Sequence, residues 1–136
     1  MKGDVMILIT NNDKVVEQWK NSKEIVLMQL SSPNMLDVLY HTRDLLHKGH
    51  WLLTHPFTGS LKPNESPYKS ILVSEEVQQL NLHHVATIEQ CIASAQTSLM
   101  NRPLPVYSEN VLSDYRLIDH DLINNGILRA LESNQK

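Results

Sequence analysis

The stretch Val5–Thr10 (VMILIT) is apolar at every position but the last and stops abruptly at Asn11-Asn12-Asp13. A strand with one wet face alternates apolar and polar residues, whereas an unbroken apolar run marks a strand buried on both sides. Such a strand needs a covering layer on each face, and that demand points to α/β architecture. Asn12 or Asp13 can cap a helix running to about Lys20, with Val15, Val16 and Trp19 as its apolar set. A second strand is expected at Glu24–Leu30 (EIVLMQL). Ser31-Ser32-Pro33-Asn34 then announces a helix start, because a capping oxygen lies beside a proline suited to the first turn.

The helix expected over Met35–Lys48 carries Met35, Val38, Leu39, Thr42, Leu45 and Leu46 on one stripe, and Gly49 supplies the left-handed residue that ends it. Trp51–Thr54 (WLLT) reads as a third strand and Ser70–Ser74 (SILVS) as a fourth. Between them His55–Lys69 holds three of the six prolines, a length and composition that mark a functional loop. Two helices follow, at about Leu82–Met100 and Asn110–Leu131. The expected stripe of the first is Leu82, Val85, Ile88, Ile92, Ala95 and Leu99; that of the second is Val111, Tyr115, Ile118 and Leu122. The expectation is therefore one domain over residues 1–136: three-layer α/β, with a mostly parallel four-stranded sheet in the order 2-1-3-4 and two C-terminal helices. The fourth strand has no helix before it and is free to run antiparallel.

Charge narrows the function. The 136 residues carry 12 basic and 15 acidic side chains, a net −3, and a pI near 6.1 argues against nucleic-acid binding. No run approaches the roughly 20 apolar residues of a membrane span. A single Cys91 fits a reducing cytoplasm and, mid-helix, reads as a buried inert thiol. Residues 41–70 hold Arg43, Lys48, Lys62 and Lys69 against Asp44 and Glu65, a local +2, so the remainder sums to −5. A basic loop on an acidic chain suggests an anionic ligand or partner.

In open α/β sheets ligands bind beyond the carboxyl ends of strands. That places Thr10, Asn11 and Asn12 beside the loop residues Thr54, His55, Thr58, Gly59 and Ser60, provided the third strand lies next to the first. Lys62, Asn64, Tyr68, Lys69 and Ser70 complete the candidate ligand-binding set. Thr58-Gly59-Ser60 offers hydroxyls and backbone N–H groups of the kind that cradle a phosphate or carboxylate. His55, at a strand end, is the weak candidate for a general acid or base. The seven histidines lack metal-ligand spacing, and neither a nucleophile elbow nor a dinucleotide fingerprint is present, so no metal and no cofactor is expected.

The segment Lys48–Ser74, KGHWLLTHPFTGSLKPNESPYKSILVS, resembles the central signature of the GrdX-like family, small proteins encoded with glycine, sarcosine and betaine reductase systems. The opening ILITNN and the late YRLID are similar too. The resemblance implies a cytoplasmic role around reductive amino-acid metabolism and no assigned reaction. Two functions follow. One is an accessory or regulatory protein whose 55–70 loop binds a small anionic metabolite or an acidic surface of reductase components. The other is a small enzyme acting on a phosphorylated or carboxylated metabolite such as an acyl phosphate, with His55 as acid or base and Ser60 and Lys62 holding the anion. Tyr107, Leu112, Leu117, Ile123, Ile127 and Leu128 fall off the expected core stripe, which favours a homodimer.

Overall fold

A computed structural model describes residues 5–57 and 61–134. The apolar run becomes β1 (Met6–Thr10), buried throughout, and sits at the centre of the sheet. Asn12 caps α1 (Asp13–Trp19), its side-chain oxygen accepting the Lys14 amide at 3.0 Å. β2 (Ile25–Gln29) returns parallel to β1, with Met6 opposite Ile25 and Thr10 opposite Gln29. α2 (Leu36–His47) buries five of the six stripe residues expected of it, and the sixth, Met35, is buried as its N-cap. β3 (Ser70–Ser74) lies on the other side of β1 and runs antiparallel, with Thr10 opposite Ser70. α3 (Leu82–Asn101) and α4 (Glu109–Asn134) complete the chain.

Strand alternation sorts the core into two halves. Ile7, Ile9, Ile71 and Val73 face α2 and α3, meeting Val38, Leu39, Leu46, Ile88 and Ile92. Met6, Leu8 and Leu72 face α1 and α4, meeting Val15, Trp19, Ile123 and Ile127. Helices thus cover both faces of β1, as its unbroken apolar character requires. No helix among the described residues is long and apolar enough to cross a membrane.

The four-stranded, mostly parallel sheet is corrected on two counts. The described sheet has three strands, order β2-β1-β3, one pairing parallel and one antiparallel. The Trp51–Thr54 run makes a single bridge, Leu52 to Val73, on the outer side of β3 rather than beside β1. Its ladder fails because side chains take over: Thr54 Oγ1 accepts the Leu72 amide at 3.0 Å, while the Leu53 and Thr54 amides both converge on the Leu72 carbonyl. Gly49, at φ 106°, turns the chain into this segment, and Pro56 closes it with a residue that has no N–H to give a ladder.

The α4 stripe is corrected as well. Val111 and Ile118 are exposed, whereas Ile123 and Ile127 are buried in the core. That removes Ile123 and Ile127 from any oligomer face; Leu117 and Leu128 stay exposed. The buried side of α4 carries Asp119 at 5% exposure, and a charged residue on that side rotates any stripe drawn from apolar residues alone.

Candidate functional site

The carboxyl end of β1 meets the amino end of β3, and α4 crosses above both. Four polar groups are buried there in one chain of hydrogen bonds. The Asn12 amide donates to Thr10 Oγ1 at 3.0 Å, Thr10 Oγ1 lies 2.7 Å from Ser70 Oγ, and Ser70 Oγ donates to Asp119 Oδ2 at 2.8 Å. A hydroxyl has one proton, so with Ser70 donating to the carboxylate, Thr10 must donate to Ser70. Asn12 Nδ2 adds a second donor to Asp119 Oδ2 at 3.0 Å and also holds the Arg116 carbonyl at 2.9 Å. One turn after β1 therefore fastens α4 to the sheet.

Asn11 serves the neighbouring segment. Its Oδ1 accepts the Lys69 amide at 2.9 Å, and its Nδ2 donates to the Pro67 carbonyl at 2.8 Å, so the approach to β3 is clamped from inside. Lys69 is 7% exposed, with its ammonium 5.3 Å from the centre of the Phe57 ring. Burial pushes the Lys69 amine below the usual lysine range, against the pull of Asp119 and Cys91. Burial likewise pushes Asp119 above the usual aspartate range, against the hydrogen bonds from Asn12 and Ser70 and the charge of Lys69. In both groups desolvation outweighs attraction.

Beside this floor opens a cleft of about 340 Å³ between α4 and residues 53–56. Asp119, Leu122, Ile123, Gly126, Arg129, Ala130 and Ser133 line it from α4, and Leu53, Thr54, His55 and Pro56 line the opposite wall, with Lys69 and Ser70 between. The helical positions recur at three- and four-residue spacing, so they form one face of α4. They span 15 residues, about 21 Å for 14 steps of 1.5 Å rise, and the cleft runs along the helix. At Gly126 the walls touch: a Cβ there would lie 2.8 Å from Thr54 Cγ2. The volume is that of a small-molecule site.

Of the thirteen ligand-binding candidates, the structure brings Thr10, Asn11, Asn12, Lys69 and Ser70 into the buried network and Thr54 and His55 onto the cleft wall. The neighbourhood arises because β3, not the 51–54 segment, pairs with β1. Thr58, Gly59 and Ser60 lie outside the described residues. Tyr68 is held at the side: its hydroxyl accepts from Arg116 Nη1 at 2.8 Å, and Arg116 also pairs with Glu109. Lys62 and Asn64 belong elsewhere. Lys62 is exposed in a turn whose amide bonds Glu65 Oε1, and Asn64 Nδ2 donates to the Ser98 carbonyl at the end of α3. Lys62 therefore does not line the cleft with His55, as the acyl-phosphate enzyme would need. His55 Nδ1 accepts the Phe57 amide at 3.0 Å, which puts the neutral ring's proton on Nε2. Asp119 and Arg129 are the site residues that sequence reasoning missed.

The other histidines serve local contacts. His50 donates to the Ser74 carbonyl, His84 accepts the Leu52 amide, and His47 faces Glu89. Among the described residues no group of three or more His, Cys, Asp or Glu is placed to hold a metal. Cys91 is buried between α3 and the sheet, and burial pushes its thiol above the usual range.

Fold and cleft together define a small three-layer α/β protein whose polar site sits where a central strand ends beneath its last helix. The model of the GrdX-like protein family matches residues 7–128, and the chain belongs to that family. Comparison with curated proteins and with solved structures gave no match.

Two outcomes test this geometry. Asp119 keeps its proton to higher pH when folded than when unfolded, so stability falls as pH rises from the ordinary aspartate range through its folded value. Lys69 acts oppositely: the unfolded chain binds more protons between its folded value and the ordinary lysine range, so stability rises with pH there. Urea unfolding across pH should show Asp119→Asn flattening the acid limb and Lys69→Met the alkaline limb; profiles parallel to wild type would contradict the burial. The second outcome concerns Thr54, whose methyl cannot swing away without giving up the Leu72 amide. Gly126→Ala should destabilise wild type by about 1 kcal/mol, overpacking exceeding the helix-propensity gain. In a Thr54→Ser background the same change should stabilise. An unchanged sign in the cycle would show that α4 does not rest on Thr54.

Proposed function

We propose that the protein is an accessory or regulatory component of glycine-reductase-type amino-acid metabolism and binds a small anionic metabolite in the α4 cleft. The observation that carries this reading is the cleft itself: about 340 Å³, with an arginine and a buried lysine in its lining and a partly apolar wall. Arg129 presents a guanidinium fork suited to a carboxylate or phosphate. Asp119 is occupied by Ser70 and Asn12, which limits its repulsion of an incoming anion. The cytoplasmic setting and the metabolic link rest on the family to which the chain belongs.

The 55–70 segment fits a second role in the same assembly. Lys62 is exposed, away from the cleft, and available to an acidic surface of a reductase component. The two surfaces separate by mutation. A ligand at 100 times its Kd adds about 2.7 kcal/mol to native stability, which raises Tm by several degrees. Among phosphate, acetate, acetyl phosphate and glycine, at least one is expected to give such a rise, abolished by Arg129→Ala and untouched by Lys62→Ala. Lys62→Ala should instead weaken co-purification with reductase components. A flat response across the panel, or a rise that survives Arg129→Ala, would refute the cleft as the anion site.

A further inference from the structure

The two edges of the sheet are treated differently. The outer edge of β3 is occupied: Leu52 bridges Val73, the Ser74 amide donates to the Trp51 carbonyl, and Thr54 Oγ1 takes the Leu72 amide. At the opposite edge β2 pairs with β1 alone. The phase of that ladder shows which groups it leaves free. The Met6 amide donates to the Glu24 carbonyl and the Leu30 amide to the Thr10 carbonyl, so Glu24, Val26, Met28 and Leu30 turn their backbone groups toward β1. Ile25, Leu27 and Gln29 turn theirs outward, and among the described residues no hydrogen bond reaches them. Proteins blunt such an edge with a charge, a proline or a bulge. The strand IVLMQ has neither charge nor proline, and Val26, between the free groups, is 45% exposed.

We propose that β2 pairs antiparallel with β2 of a second copy about a two-fold axis through Leu27, joining the two three-stranded sheets into one. Register and charge both select a second copy as the occupant. Centring on Leu27 sets Leu27 opposite Leu27 and Ile25 opposite Gln29 of the other copy, so every outward N–H of the strand meets an outward C=O. A two-fold axis normal to the sheet also keeps its faces in place. Ile25 and Leu27 belong to the α1/α4 side and Met28 to the α2/α3 side. The exposed Val26 shares the side of Met28 and lands opposite Met28 of the second copy, an apolar cross-strand pair. Charge follows the same register. Asp13 and Lys23 are exposed, and neither forms an ion pair among the described residues. Asp13 Oδ1 holds Gln29 Nε2, and Gln29 lies diagonally across from Lys23 of the second copy. Diagonal neighbours in an antiparallel pair are about 7–8 Å apart, within reach of a lysine. Each Asp13 thus gains a Lys23, and symmetry makes the contact twice. No like charges stand opposite each other, because Glu24 faces Leu30 and Lys23 faces Ser31.

Light scattering over a dilution series of the full chain tests the pairing, with amide exchange followed by NMR as the residue-level readout. Wild type should pass from 15.6 kDa to twice that mass as concentration rises. Gln29→Pro removes an outward N–H and leaves the β1 ladder whole, so it should stay monomeric with an unchanged circular dichroism spectrum. Val26→Lys, which alters an exposed side chain and puts a charge on the edge, should do the same. In the wild-type dimer the Ile25 and Leu27 amides should exchange at least about tenfold slower than in either monomeric variant, while the Val26 and Met28 amides, bonded to β1, keep their protection in both states. Lys23→Asp should weaken the dimer, and adding Asp13→Lys should restore it. A wild type that remains monomeric throughout the series would overturn the proposal. So would a dimer that survives Val26→Lys and Gln29→Pro, or one whose Ile25 and Leu27 amides exchange as freely as in the monomer, because either result puts the contact on another face.

Discussion

The structure depends on one buried carboxylate. Asp119 sits at the point where α4 crosses the ends of β1 and β3, and it receives Ser70 from one strand and Asn12 from the turn after the other. An isolated carboxylate in that position would be strongly unfavourable, so the hydroxyl chain through Thr10 and Ser70 is what makes the site tolerable. The consequence is positional. Apolar contacts of Ile123 and Ile127 hold α4 against the sheet, but they are non-directional. The polar contacts fix which part of the helix lies over the strand ends, and with it the line of the cleft.

The cleft follows from that placement together with the irregular segment 53–56. In a regular fourth strand the Leu53 and Thr54 amides would not both converge on one β3 carbonyl, that of Leu72. Instead Thr54 gives its hydroxyl to the Leu72 amide and its methyl to the close approach at Gly126. The chain then leaves the sheet at Pro56 and forms the second wall. A small chain thus gains a site by leaving a sheet edge incomplete and laying its longest helix across it.

What the sequence made legible was the part governed by apolar periodicity. β1, β2, β3 and α2 fall close to their expected bounds because their buried faces are largely apolar. Thr10, Asn11 and Asn12 stand out in the sequence as the loop at the carboxyl end of a buried strand, and Lys69 and Ser70 as the end of the basic 55–70 loop; the structure joins them in one buried hydrogen-bonded region. The strand order was not legible, because WLLT and SILVS carry the same pattern and nothing local says which one pairs with β1. Asp119 was invisible for a related reason. Within YRLIDHDLIN both aspartates read as part of the wet face, so the expected stripe runs through Val111 and Ile118, which the structure exposes. Only its partner residues, 49 and 107 positions away in sequence, reveal that it points inward.

Hydrogen exchange on Ser70→Ala tests the central claim most directly. If the Ser70–Asp119 bond fixes α4 on the strand ends, amides over Arg116–Ile127 should exchange faster than in wild type, while those of α2 and of α3 keep their protection, as expected for opening of one packed unit. Protection lost evenly across all helices, or retained in α4, would show that apolar packing alone places the helix and that the buried carboxylate does not.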